Sequence, residues 1–313
     1  MPTPFDSPQI SVIIPHLNQP ESLDDCLASL GQQTLDESLF EIIVVDNGSA
    51  HNPENVVARH PPTRLLHESI PGPGPARNAG VLDARGRVIA FIDADCRAHP
   101  DWLNVALDRI DAAPQSTVLG GDVRIWHQRE KNYTAVEAYE SVFAYQFKRY
   151  IEQKAFSGTG NLVMRREDFD KVGLFGGIQI AEDIDWGHRA SAAGLTFKFV
   201  PQMIVFHPPR RSIGELLTKW DRHLQHNLNM ARGNTAWRLR WVVRAFVVLV
   251  SPLIDVFTVF RSDRIEGAAE RFKASMVLIL VRAYRAWIMM RLLLLPKGIL
   301  WNRDSELRSP NAK

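Results

Sequence analysis

Apolar runs alternate with amphipathic segments over the first 206 residues of the chain. Ile10–Ile14, Ile42–Val45 and Val88–Ile92 are continuous and rich in β-branched residues, as expected of strands buried in a parallel sheet. Between the first two strands, apolar residues recur at helical spacing from Leu23 to Leu30. This alternation predicts an open α/β sheet with right-handed crossovers.

The pattern loosens beyond Asp101, and further elements are predicted on either side of that residue. Residues 126–156 are polar and aromatic and show no clear period. The other predicted strands are Leu65–His67, Thr117–Val123, Gly158–Arg165, Leu195–Val200 and Met203–Phe206, and the other predicted helices are Ala76–Arg85, Trp102–Ile110 and Ala181–Ala193.

Beyond Ser212 the chain changes to helical segments that are either amphipathic or strongly apolar. Residues 241–260 and 274–295 are each long enough to span a bilayer as a helix. Asp255 and Arg285 interrupt them, and each would cost ~2.5–3.5 kcal/mol near a bilayer centre. We therefore predict helices that lie in the membrane interface. A helical hairpin packed on the catalytic domain or at a dimer interface is the main alternative, and true spans are a third.

The composition changes this picture in two ways. The chain has 313 residues, 45% of them hydrophobic and 23% charged, which excludes disorder and a collagen-like protein. Its two cysteines exclude a disulfide framework or a four-cysteine zinc site and suit a reducing cytoplasm. Residues 207–313 carry 19 Lys and Arg against 8 Asp and Glu, and the first 206 carry 18 against 27. The basic rear is expected to meet an anionic partner.

Acidic residues follow two of the predicted strands. Asp93 and Asp95 come directly after Val88–Ile92, and Asp46 follows Ile42–Val45. Ligands of open α/β sheets collect at the carboxyl ends of strands, where paired carboxylates can hold a hard cation. Each feature alone is equally consistent with a polar turn.

Three more features carry candidate chemistry. Arg77 and Asn78 open a predicted helix, whose amide groups can receive a phosphate. Glu182 and Asp183 open another helix, after a glycine-rich stretch, where they could simply complement the helix dipole. His207 ends the last predicted strand, and a lone histidine is more often structural than a ligand.

Taken together and in this order, these motifs resemble the family 2 glycosyltransferases of the GT-A fold. The matching pieces cover residues 10–207. They are VIIP at 12–15, VVDNGS at 44–49, GPARNAG at 74–80, FIDAD at 91–95, GTGNLVMRR at 158–166, AEDIDW at 181–186 and VFH at 205–207.

The resemblance implies an inverting transferase that moves a sugar from a nucleotide donor, most often UDP-linked, to a hydroxyl with the help of Mn²⁺ or Mg²⁺. It makes Asp183 the catalytic base. The implied nucleotide-binding residues are Pro15, Asn18, Asp46, Arg77, Asn78 and Asp93. The implied acceptor residues are Gly160, Asn161, Glu182, Asp185 and Trp186, and the implied metal ligands are Asp95 and His207.

One departure and two alternatives accompany this interpretation. Many members have an aromatic residue followed by Asn after the first-strand proline, whereas this chain has His16 and Leu17 before Asn18. A nucleotidyltransferase would carry a glycine- and Lys/Arg-rich loop near its start, which this chain lacks. A non-catalytic relative would be expected to have lost Asp95 or Asp183, and both are present.

The sequence thus predicts a GT-A catalytic domain over residues 1–210 and a basic, apolar helical region over 211–313. The expected partners are a nucleotide-sugar donor, a glycan or lipid-linked acceptor and an anionic membrane surface. Nucleic acid is not expected, and a homodimer is allowed. The N-terminus shows no secretory signal pattern, so a peripheral or monotopic protein on the cytoplasmic face of the membrane is expected.

Overall fold

The structure is a computed structural model that describes residues 7–127, 132–232 and 235–294. In chain order the elements are β1 (Ile10–His16), α1 (Pro20–Leu30), β2 (Phe40–Asp46), α2 (Glu54–Val57), β3 (Arg64–His67), α3 (Pro73–Asp83), β4 (Val88–Ile92), β5 (Arg97–Ala98), α4 (Trp102–Asp111), β6 (Thr117–Ile125), α5 (Ala135–Phe143), α6 (Phe147–Lys154), β7 (Asn161–Arg165), α7 (Arg166–Val172), α8 (Glu182–Ala192), β8 (Thr196–His207), α9 (Ile213–Ala231), α10 (Trp237–Val250), α11 (Pro252–Arg261) and α12 (Ala268–Leu294).

The described residues divide into two compact units. The first unit comprises 7–126 and 145–208, and the second comprises 127, 132–144, 209–232 and 235–294. The domain boundary predicted at residue 210 places α5 in the catalytic domain. The structure groups α5 with the C-terminal helices because Tyr139 and Val142 bury their side chains in one apolar cluster with Leu278 and Val281 of α12.

The first unit is built on an eight-stranded mixed sheet. Its strand order is β3-β2-β1-β4-β7-β6-β8-β5. β1 pairs in parallel with β2 and β4, and β6 pairs in parallel with β8, while β7 runs antiparallel to both β4 and β6. The carboxyl ends of β1, β2, β4 and β8 therefore meet at one edge of the sheet. Side chains on both faces of the sheet are buried under helices, as the apolar runs predicted.

Two features of the secondary structure differ from the sequence-based prediction. Leu195–Val200 and Met203–Phe206 form one strand, β8, which stays paired with β6 across a register shift at Gly121 and Asp122. The polar-aromatic stretch holds two helices, α5 and α6. Thr134 caps α5 in a capping box with Glu137, a signal that the sequence does carry.

The second unit is helical among the residues that the structure describes. Leu224, Leu228, Trp241 and Met289 share one apolar cluster that joins α9, α10 and α12. The described part of the chain contains no single helix that is both long enough and apolar enough to cross a bilayer. The pair α10 and α11 meets that requirement only when taken together, and it bends by 47° at the break between the two helices.

Candidate active site

The carboxyl edge of the sheet gathers the acidic and histidine side chains that the strand ends predicted. His16 and Asp46 end neighbouring strands and pair with each other in the β1–β2 register. Asp93 and Asp95 follow β4, and His207 ends β8. Because these strands point the same way, residues from distant parts of the sequence lie at a common edge.

The pair Asp95 and His207 is the candidate cation site. Asp95 Oδ2 lies 3.3 Å from His207 Nε2, and His207 Nδ1 donates to the carbonyl of Pro208 at 2.6 Å. That backbone bond leaves Nε2 facing the carboxylate, where it can carry a proton or, as in many metal sites, bind a cation beside the carboxylate. One carboxylate oxygen and one imidazole nitrogen suit Mn²⁺, with phosphate oxygens or water completing the coordination.

The contact between Asp95 and His207 shifts the pKa of both side chains. Burial raises the pKa of Asp95, but the bond to His207 outweighs it, so the net pKa lies below the ordinary value. Burial lowers the pKa of His207, but contact with Asp95 outweighs it and raises the net pKa. The anionic carboxylate therefore favours a positive charge beside it, which either a proton or a cation can supply.

Cys96 lies close to this pair and yet is a poor ligand. A sulfur, a carboxylate oxygen and an imidazole nitrogen from Cys96, Asp95 and His207 lie within 4.8 Å of one another. Burial, reinforced by the charge of Asp95, raises the pKa of the Cys96 thiol well above its ordinary value. Only the thiolate binds metals well, so the thiol of Cys96 stays protonated and acts as a small apolar side chain.

Arg77 joins the end of β4 to the start of α8. Its guanidinium donates to Asp93 at 2.7 Å and to Glu182 at 3.1 Å, and the residue is almost wholly buried. Its two terminal nitrogens are thus held by carboxylates that face the site. Gly160 permits this arrangement, because a Cβ there would lie 2.8 Å from Asp93 Oδ2.

Asp183 stands in the first turn of α8 next to this bridge. The backbone N–H of Ile184 donates to its Oδ1 at 2.8 Å. Burial and the adjacent charge of Glu182 raise the pKa of Asp183, while Arg77 opposes the shift. A carboxylate with a raised pKa is a stronger proton acceptor, as a general base requires.

Tyr150 lies within the electrostatic influence of Asp183, and the sequence analysis did not single it out. Burial, and then the charge of Asp183, raise the pKa of the Tyr150 hydroxyl, which lies within the electrostatic reach of that carboxylate. Its ring stacks on Phe156 at 5.3 Å. The residue belongs to α6, in the polar-aromatic stretch that shows no clear period, so only its aromatic composition pointed to it.

The end of β1 carries a histidine, His16, whose tautomer is defined by its hydrogen bonds. The backbone N–H of Gln19 donates to His16 Nε2 at 3.2 Å, which leaves Nδ1 to donate to Asp46 at 3.1 Å. Burial raises the pKa of Asp46, but bonds from Ser49 and His16 outweigh it and lower the net pKa. His16 is thus the residue that orients Asp46 where many relatives place an aromatic side chain.

Pro15 and Asn18 flank His16 and shape the same loop. Pro15 lies opposite Val45 in the β1–β2 register. Asn18 adopts a left-handed backbone with φ of 55°, which asparagine tolerates better than most residues. Its side-chain carbonyl accepts from the N–H of Ala50 at 2.7 Å, so it ties the loop after β1 to the loop after β2.

Two of the expected acceptor residues lie in the core. Asn161 is wholly buried: it accepts from the Trp102 indole at 2.9 Å and donates to the carbonyls of Asp122 and Met203. Trp186 is 1% exposed, and its indole donates to the carbonyl of Gly173 at 2.9 Å. Neither side chain can face an acceptor, because each has its polar atoms paired inside the protein.

The remaining expected residues stay at the edge of the site, with their contacts defined. The Asn78 amide exchanges two bonds of 2.9 Å with the backbone of Phe175, so it holds the glycine-rich segment before α8 rather than a free ligand position. Asp185 pairs with Arg189 at 2.9 Å, one helical turn on. Glu182 remains partly exposed in its bond to Arg77.

A mixed sheet of this order, with acidic residues gathered at the carboxyl edge and helices on both faces, is the arrangement of the GT-A glycosyltransferases. The chain belongs to glycosyl transferase family 2, whose family model matches residues 11–173, about half of its length. The enzyme class is therefore glycosyltransferase.

Three similar proteins illustrate the relationship. Glycosyltransferase AglE of Haloferax volcanii is 33% identical over 218 residues, which is 68% of this chain and 70% of AglE. A mannosyltransferase from Pyrobaculum calidifontis, solved with GDP-Man and Mn²⁺, superposes with a TM-score of 0.60 at 18% identity over 95% of this chain and 92% of that one. The TarS fragment 1–349 of S. aureus, solved with UDP-GlcNAc, gives 0.53 at 19% identity over 92% and 76%.

Proposed function

We propose that this glycosyltransferase moves a sugar from a nucleoside-diphosphate donor to an acceptor hydroxyl by a single inverting displacement. The observation that carries the proposal is Asp183, a carboxylate with a raised pKa in the same unit as the Asp95–His207 pair. One group can take a proton, and the other can hold a cation beside a diphosphate. No protein nucleophile is needed for such a reaction.

The residues divide the work along the carboxyl edge. Asp46, oriented by His16, accepts hydrogen bonds from the nucleoside. Asp95 and His207 would hold a divalent cation, and such a cation would supply Lewis-acid stabilisation of the departing diphosphate. Asp183 takes the proton from the acceptor hydroxyl as the new bond forms, and Arg77 keeps Glu182 in place beside it.

We propose UDP as the nucleotide of the donor. The solved complexes of the fold neighbours support a nucleotide sugar of some kind, since TarS was solved with UDP-GlcNAc and the Pyrobaculum mannosyltransferase with GDP-Man. The carboxylate of Asp46 can accept hydrogen bonds from several different bases, so it does not by itself select uracil. The identity of the base therefore needs a direct comparison of donors.

The experiment is a donor panel read by two measurements. UDP-, GDP- and dTDP-sugars are compared for thermal stabilisation of the full chain with Mn²⁺ and with EDTA, because a bound ligand stabilises the fold by mass action. The best donor is then incubated with the chain, and released nucleoside diphosphate is quantified. A glycosyltransferase releases it only with the matching donor and metal. Binding without any release, over a range of acceptors, would contradict the proposal and favour a non-catalytic relative.

We further propose that the second unit holds the enzyme at a membrane surface and that the acceptor is a glycan or lipid-linked molecule found there. On α10 only Trp241, Ala245 and Val248 are buried, while Phe246 and most other apolar side chains are exposed. Soluble monomers seldom expose so large an apolar surface to water. The excess of basic residues over 207–313 would add attraction to anionic lipid, ~1 kcal/mol for each close charge.

A further inference from the structure

A buried arginine without a carboxylate partner lies in the second unit. Arg285 of α12 is 7% exposed, and its guanidinium stacks 3.7 Å above the ring of Trp220. Its Nε is buried and makes no hydrogen bond, and no carboxylate pairs with it among the residues that the structure describes. Burial, and then the nearby charge of Arg282, lower the pKa of Arg285 to about 10, so it remains charged at neutral pH.

More positive charge surrounds this arginine. Burial, followed by repulsion from Arg210, lowers the pKa of Lys219 to about 8. Burial, followed by repulsion from Lys219 and Arg222, lowers the pKa of His223 to about 4. Arg285 also contributes to the shift at His223. These residues come from α9, α12 and the segment before α9, so the positive field is a property of the folded unit rather than of one sequence run.

The acids of this region are already engaged. Glu140 of α5 binds both the backbone and the guanidinium of Arg210. Asp255 of α11 receives a hydrogen bond of 2.7 Å from Arg282. The Nε atom of Arg282 is nevertheless buried without a partner, as that of Arg285 is. Two guanidinium groups one helical turn apart on α12 therefore both have an unused, inward donor.

We propose that Arg285 and Arg282, in the positive field of Lys219 and Arg222, bind a phosphate or diphosphate group. A buried charge without a partner costs several kcal/mol, so a fold that keeps one gains from an external counter-ion. Phosphate oxygens match the planar fork of arginine in geometry and charge. The inference concerns a second site in the second unit and stands apart from the donor site at the sheet edge.

The second unit also offers an apolar surface that the chain of a phosphate-bearing amphiphile could contact. A cavity of about 500 Å³ is lined by Val142, Ile254, Phe257, Thr258 and Arg261, together with Ser262 and Arg264, and by none of the four basic residues named above. Ile254 and Phe257 are mostly exposed, so this cavity is an open apolar groove. Arg285 would recognise the phosphate group of either a lipid headgroup or a free phosphate. The experiment must therefore separate these two sources.

The test measures thermal unfolding of the full chain in neutral detergent with EDTA, which removes divalent cations from the donor site. Two probes are compared: inorganic pyrophosphate, and phosphatidic acid mixed into the micelles, with phosphatidylcholine as the uncharged reference. We expect the Tm of the wild type to rise by several degrees with at least one anionic probe. A response to phosphatidic acid alone identifies a lipid headgroup, and an equal response to pyrophosphate identifies a free phosphate.

The variant Arg285→Met makes the test specific. It should lose the response to the probes, while its unliganded Tm stays level or rises, because an unpaired buried charge has been replaced by an apolar side chain of similar length. Arg240→Met, which removes an exposed charge from α10, should keep the full response. Undiminished stabilisation of Arg285→Met by both probes would overturn the proposal.

A second readout works on the wild type and does not depend on any variant folding. Anion binding beside Lys219 and Arg222 should raise the pKa of His223 from about 4 toward its ordinary range, which NMR titration of the imidazole protons can follow. An unchanged titration midpoint at saturating probe would also overturn the proposal. Nucleotide binding with Mn²⁺, measured separately, reports on the donor site and can fail or succeed independently.

Discussion

At the scale of single residues, the neighbours Asp95 and Cys96 lead to opposite predictions although both lie near His207. Asp95→Ala should weaken binding of a nucleoside diphosphate roughly tenfold or more with Mn²⁺ and change it little in EDTA, because we propose that the lost group is a ligand of the cation. Cys96→Ser should leave Mn²⁺-dependent binding within about threefold, since the thiol is protonated. Titration calorimetry under both conditions checks the pair. An equal loss for Asp95→Ala with and without metal would assign Asp95 another role.

The sequence located the strand-end residues well because position at a strand end fixes the edge of the sheet. The direction of the strands was enough to predict the edge of the sheet at which Asp46, Asp95 and His207 lie. Asn161 and Trp186 were misjudged because a motif gives a position along the chain and not the face to which a side chain points. The tautomer of His16 could not be read at all, since it depends on the backbone N–H of Gln19.

At the scale of elements, Asn161 links β7 to both β6 and β8. Asn161→Ala would remove three buried hydrogen bonds, which join Asn161 to the Trp102 indole and to the carbonyls of Asp122 and Met203. We expect the free energy of unfolding to fall by about 3 kcal/mol, at roughly 1 kcal/mol for each bond. Urea unfolding measures this loss. The KM for the acceptor should stay nearly constant, and a raised KM with unchanged stability would restore the acceptor role that the sequence suggested.

There are physical reasons why the sequence analysis did not predict some of the elements. α5 buries its residues against helices that come more than 70 positions later in the chain, so a local period search sees mixed polarity. The two predicted closing strands form a single strand, β8, because the pairing with β6 continues on both sides of the register shift. The break between α10 and α11 falls at Pro252, a residue that favours the first turn of a new helix.

At the scale of the whole molecule, an acidic front and a basic, apolar rear favour an enzyme that works at a membrane surface. Replacing Phe246, Leu253 and Phe257 together by serine should move the full chain from the membrane pellet to the supernatant, because these exposed side chains supply the apolar contact. Leu82→Ser, at an equally exposed site of the first unit, serves as the control and should leave the pellet fraction unchanged. Fractionation of cells checks both. Wild-type protein that stays in the supernatant at low salt would contradict the membrane proposal.

The central claim is that Asp183 is the base of a glycosyl transfer, and its replacement by asparagine tests that claim directly. The raised pKa means that ionised Asp183 costs stability above its ordinary pKa, so Asp183→Asn should unfold at the same or a higher temperature at neutral pH. For the wild type, the same shift places the acid limb of the transfer rate above the pH at which an ordinary aspartate titrates. Asp108→Asn, the same change on an exposed face of α4, is the control.

The decisive measurement is the initial rate of sugar transfer by Asp183→Asn, taken beside its affinity for the donor. We predict a fall in rate of at least about 10²-fold, the lower end of general-base contributions, with donor affinity within about threefold of the wild type. The Asp108→Asn control should transfer at the wild-type rate. A transfer rate for Asp183→Asn within tenfold of the wild type, with the fold and donor binding intact, would contradict the account.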